Sequence, residues 1–152
     1  MSRQRAQWIV VAIVAIIAIS LFAGASTEAS GGKGTVVVPA AKLAWVAGAI
    51  PGVSTAAVAG DLATGPSRFY LKYAKGLVTP LHHHSPDHYV TTVTGELVLV
   101  VDGVEHRLAP GSYFALTNQA AHLARCEGAT DCVMFIDSRG AWDVVPDAPA
   151  KP

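Results

Sequence analysis

From Thr35 onward, turn residues cut the chain into short β-branched or alternating runs at spacings of roughly 8–12 residues, a rhythm that fits a β-sandwich or barrel. Thr35-Val36-Val37-Val38 is β-branched and stops at Pro39. Pro51-Gly52 and Thr64-Gly65-Pro66 mark turns. Arg68 to Tyr73 alternates and is rich in aromatics, and Tyr89 to Thr94 is strongly β-branched and ends at Gly95. Glu96 to Val101 runs into Asp102-Gly103, a strong two-residue hairpin signal, and Val104 to Leu108 follows. Strands are further predicted over Tyr113 to Leu116, His122 to Cys126 and Cys132 to Ile136. Ala40 to Ala49 allows one short helix or a loop. No internal repeat is present, and the expected class is all-β.

The N-terminus follows a different logic. A basic lead, Ser2-Arg3-Gln4-Arg5, precedes an uncharged apolar run from Trp8 to Phe22 and then Ala23-Gly24-Ala25. That order matches the basic, apolar and small-residue regions of a secretory signal peptide, with cleavage expected after Ala25. The run approaches the roughly 18 residues of a membrane helix, so a retained N-terminal anchor helix is the alternative. Either reading predicts an exported domain, periplasmic or extracellular, that meets a membrane only through this segment. Residues 26–35 (STEASGGKGT) read as a flexible linker. Residues 36–147 then form one domain, with 148–152 as a tail. The 152-residue chain carries 11 basic and 11 acidic residues, with no block of like charge. This excludes the basic footprint of a nucleic-acid binder and favours a small-molecule ligand or substrate.

Six histidines occur, four of them at His82, His83, His84 and His88. Side chains alternate along a strand, so His82 and His84 share one face and His83 points away. His88 lies four residues past His84 and returns to that face if Ser85-Pro86-Asp87 makes a tight turn. His122, between small and apolar neighbours, is the candidate fourth ligand from a separate strand. Neutral imidazole suits zinc, copper, iron and nickel. Its reference pKa of about 6.5 predicts acid release of such an ion near pH 5–6. His83 and His106 read as ordinary surface residues. Glu96 and Glu105 read as solvated, and Tyr70, Lys72 and Tyr73 as packing or pocket-lining residues.

Cys126 and Cys132 are the only cysteines. In an oxidising compartment they are expected to form a bridge closing a hairpin. The alternative is a reduced Cys126 that faces the interior near the histidines as a ligand or redox partner.

The segment Gly76-x5-His82-x-His84-x3-His88-x6-Gly95 resembles the first motif of the cupin superfamily, G-x5-H-x-H-x3-E-x6-G, at every spacing; His88 stands where the family has Glu. Thr117 to Cys126 resembles the end of the second motif, P-x-G-x2-H-x3-N, with His122 at the family histidine. Thr117, Gln119 and Cys126 replace the Pro, Gly and Asn. Leu108 to Ser112 resembles the turn between the motifs. Trp45, Pro51-Gly52 and Gly60-Asp61 are similar to a bacterial subgroup of small single-domain cupins. The resemblance spans roughly residues 40–145. It implies a double-stranded β-helix, or jelly-roll barrel, holding one divalent transition metal (Zn, Fe, Ni, Cu or Mn) on His82, His84, His88 and His122. With His88 in place of a carboxylate the ligand set is neutral, which disfavours oxygen-seeking Mg²⁺ and Ca²⁺. The resemblance implies a metal-dependent enzyme, such as a dioxygenase or isomerase, or a non-catalytic metal or small-ligand binder. It also implies a possible homodimer through sheet edges.

Overall fold

The computed structural model describes residues 34–148, and the expected signal or anchor helix lies outside them. The described chain is all-β, with one short 3₁₀ turn at Ala40–Lys42. Eleven strands follow in order: β1 (Val46–Ala47), β2 (Val53–Gly60), β3 (Ser67–Tyr73), β4 (His82–His83), β5 (His88–Thr94), β6 (Glu96–Val101), β7 (Val104–Leu108), β8 (Tyr113–Leu116), β9 (His122–Glu127), β10 (Cys132–Ser138) and β11 (Val145–Pro146). They form a six-stranded sheet, β1-β2-β3-β10-β5-β8, and a five-stranded sheet, β11-β4-β9-β6-β7. Every pairing is antiparallel.

Alternation within the strands builds the core between the sheets. In β3 Phe69, Leu71 and Tyr73 are buried while Arg68 points out, and β10 buries Cys132, Met134 and Ile136. These side chains meet Val90, Leu97, Ala124 and Cys126 from β5, β6 and β9 in one cluster. At Asp102-Gly103 both residues take positive φ, 50° and 76°, as a tight β6–β7 hairpin requires. Gly95 carries the chain from one sheet to the other at φ 79°. A Cβ there would lie 2.7 Å from the Asp131 carbonyl and 2.8 Å from the Cys132 Cα, so this position needs glycine.

Two sequence expectations are corrected here. Thr35 to Val38 forms no strand and joins neither sheet, and Val36 and Val37 are exposed. β-Propensity describes fit to a pleated, half-buried surface, and this segment has no strand beside it. The cysteines form a disulfide, which removes the free-thiol alternative. The bridge does not close a paired hairpin either: β9 belongs to the five-stranded sheet and β10 to the six-stranded one, so it ties the two sheets together.

Candidate metal centre

The histidines converge because the chain between β3 and β4 docks along β9. Gly76 donates to the Cys126 carbonyl (3.0 Å), and Cys126 donates to that of Leu77 (2.9 Å). The Ala124 amide donates to Thr79 Oγ1 (2.8 Å) while the Thr79 amide donates to the Ala124 carbonyl (2.9 Å). This register places His82 directly opposite His122. The Ser85-Pro86-Asp87 turn then crosses to the other sheet, where His88 opens β5. Asp87 Oδ1 accepts the Asn118 amide at 2.9 Å, tying this turn to the one that precedes His122.

His82, His84, His88 and His122 are all buried. One ligand nitrogen from each of His82, His84 and His122 falls within 4.8 Å of the others, an arrangement that could hold a metal ion. His88 stands beside that triad rather than inside it, its ring centroid 4.7 Å from His84 and 6.3 Å from His122. His83 points away, as alternation requires, and pairs through Nδ1 with Asp147 at 2.9 Å.

In all four buried rings Nδ1 meets a backbone carbonyl: Pro80 for His82 (2.8 Å), Asp143 for His84, Pro86 for His88 (3.1 Å) and Ala120 for His122 (2.9 Å). A carbonyl only accepts, so each Nδ1 carries the proton and each Nε2 the lone pair. This is the orientation that outer-shell carbonyls give to metal-binding histidines. Burial pushes the His84 imidazole down to about 3 and His122 down to about 4, and it lowers His82 and His88 as well. The carbonyl contacts oppose this but are outweighed. The rings are therefore neutral near pH 7, the state in which imidazole binds metal.

The sequence reading missed Trp142. Its indole stacks on His84 (3.9 Å between centroids, 22° between planes) and meets His88 edge-on at 5.1 Å. It sits on the irregular stretch between β10 and β11. There the Trp142 amide donates to the Leu62 carbonyl (2.7 Å), and the Asp143 carboxylate accepts the Ser85 amide (2.8 Å). Two small voids adjoin the histidines, of about 30 and 40 Å³. Trp142, His84, Leu71 and Tyr73 border both, and neither has a Lys, Arg, Asp or Glu in its wall. Tyr73 therefore lines the interior. Tyr70 and Lys72 face outward, against Phe135 and Trp45 respectively. Glu105 is exposed and pairs with Arg125 (3.0 Å), and exposed Glu96 stands outside the site.

The family model for the cupin domain matches residues 69–137, which include all four histidines. No curated protein gives a significant match. Among solved structures, KdgF from Halomonas sp. superposes with a TM-score of 0.56 at 22% identity, covering 66% of this chain and 92% of its own. The polyketide cyclase RemF from Streptomyces resistomycificus gives 0.64 at 15%, covering 77% and 88%. An RmlC-like cupin from Shewanella frigidimarina gives 0.55 at 19%, covering 67% and 88%. At such identities the likeness is one of fold.

Proposed function

The chain belongs to the cupin superfamily, and on that premise we propose that it is an exported protein that holds one divalent transition metal and acts as a mononuclear metal-dependent enzyme on a small molecule. His82, His84 and His122 are the primary ligands, and His88 completes the set from the opposite sheet. The observation that carries this reading is the convergence of one ligand nitrogen from each of His82, His84 and His122 within 4.8 Å, with the Nδ1 of all four buried rings set against a backbone carbonyl. A bound ion would supply Lewis acidity or, if it is iron, oxygen activation. The chain's own part is to keep the imidazoles neutral and oriented and to surround them with apolar walls. The Cys126–Cys132 bridge supports an oxidising compartment.

Elemental analysis of protein purified without an affinity tag tests the metal reading. One equivalent of transition metal is expected in the wild type and in His83→Ala, with none retained in His84→Ala. A wild type that takes up no Zn, Fe, Ni, Cu or Mn would refute it, as would equal losses in both variants.

One observation favours a second reading, a non-catalytic metal or small-ligand holder. Voids of about 30 and 40 Å³ each admit little more than a water molecule. Oxygen consumption and product formation by the metal-loaded protein with small phenolic and carbonyl compounds separate the two.

A further inference from the structure

A void that binds benzene measures about 150 Å³ in other proteins, several times either space beside these histidines. An organic ligand can reach the ring cluster only if a side chain vacates room for it. Half of the shared border consists of strand residues packed in the core: Leu71 and Tyr73 are inward positions of β3. His84 is held through its Nδ1 to the Asp143 carbonyl. Trp142 differs in both respects. It lies outside the strands, two residues after Gly140, and it is only partly buried. Its indole has aromatic neighbours on several sides, His84, His88 and Phe69, the last at 5.0 Å.

We propose that Trp142 is the specificity-determining plug of this site, its indole occupying the seat on His84 that a flat, uncharged, apolar ligand takes when the side chain turns away. Turning the indole out joins the two voids and leaves a planar slot. The His84 ring forms one wall, and Leu71 and Tyr73 contribute to the rest. A stacked ligand replaces the aromatic contacts the indole gives up, each worth about 0.5–1.5 kcal/mol beyond burial. The walls contain no cationic side chain to meet a phosphate or a second carboxylate, and burying an unpaired charge there is costly. For the metal-free protein the ligand class is therefore small, planar and neutral, and phosphorylated compounds are rejected, whereas a bound dication would itself draw an anion. This rests on the proposed function only in treating the histidine cluster as a small-molecule site, and it does not require the metal.

The test uses the full chain labelled with 5-fluorotryptophan, with and without EDTA, and indole as the probe. Trp8, Trp45 and Trp142 give separate fluorine resonances, and Trp142→Phe assigns the relevant one. Indole is expected to shift the Trp142 resonance and leave that of Trp45 in place, while phenyl phosphate at the same concentration shifts neither in the EDTA-treated protein. Trp142→Ala is expected to bind indole at least tenfold more tightly than the wild type. Should that variant fold poorly, the wild-type fluorine shifts decide alone. An unmoved Trp142 resonance at saturating indole overturns the proposal, and so does phenyl phosphate binding as well as indole to the EDTA-treated protein. Metal content is measured on the same samples. A chain that binds no metal yet shows the indole response loses the metal reading and keeps this one; a metal-bound chain with no response does the reverse.

Discussion

At the scale of single residues, alternation along a strand separated His83 from His82 and His84, and His83 does turn outward to Asp147. Motif spacing brought His88 and His122 into the same set, and both are buried beside the other two. Trp142 and Asp143 were not legible. Their contacts with His84 and Ser85 span 58 residues, and nothing local in Gly140-Ala141-Trp142-Asp143 announces a partner so far back. The position of His88 beside the triad predicts a graded effect. His88→Ala should weaken metal affinity about 10–100-fold, the range for supporting residues, without abolishing it. Competitive titration against a chelator checks this, and complete loss would make His88 an equal ligand. Burial sets the pH response of the metal-free protein. The four imidazoles titrate near 6.5 when unfolded but lower when folded, His122 at about 4 and His84 at about 3. Between these limits the unfolded chain binds more protons, so stability falls as pH is lowered through 6.5, and the slope from these groups fades over about one pH unit above it. The urea midpoint of EDTA-treated protein should therefore drop between pH 6.5 and 4, with a shallower drop in His84→Gln; equal slopes in the two proteins would contradict this. Because protons compete less well for buried rings, half-release of metal is expected below pH 5, lower than the ordinary imidazole value suggests.

At the scale of elements, strands bounded by strong turn chemistry were the readable ones. β6, β7 and β8 occupy the segments their flanking Gly, Asp-Gly and Pro-Gly signals delimit. β2 escaped notice because Val53–Gly60 carries three alanines and no aromatic, so its pairing with β3 decides its state. The turn before His122 carries visible strain. Asn118 and Gln119 adopt φ 55° and 56°, and Gln119 stands where the resembling motif has Gly. Asn tolerates this conformation, whereas a longer side chain without a local hydrogen bond does so at a cost of about 1–2 kcal/mol. Gln119→Gly should relieve part of this and raise stability by about 0.5–1 kcal/mol, after the larger entropy of Gly in the unfolded chain is deducted. Equilibrium unfolding in urea measures it, and a lowered midpoint with unchanged slope would show that Gln119 is held by compensating contacts.

At the scale of the whole molecule, the two sheets are joined at one end by the disulfide and at the other by the histidine cluster. Cys126 and His122 are both inward positions of β9, four residues or about 13 Å apart. β6 and β9 are paired throughout that interval, and β10 spans the facing sheet between β3 and β5. The bridge thus ties the sheets together at one end of β9, while the turn from β4 to β5 and the contacts of Trp142 with His84 and Leu62 tie them near the histidines. The loop it closes is short, and chain entropy alone assigns it about 2 kcal/mol. Replacing both cysteines by alanine should lower the melting temperature on the order of 10 °C for a domain of this size. The metal-binding stoichiometry should stay at one, since none of the four Nδ1–carbonyl anchors involves a bridge cysteine, and the Cys126 contacts with Gly76 and Leu77 are made by its backbone. Loss of stoichiometric binding in a double variant that still unfolds cooperatively would mean that mouth geometry is set from the far end of the barrel. Reduction of the bridge would then control the site, which the anchoring of His82, His88 and His122 to carbonyls two residues before them argues against.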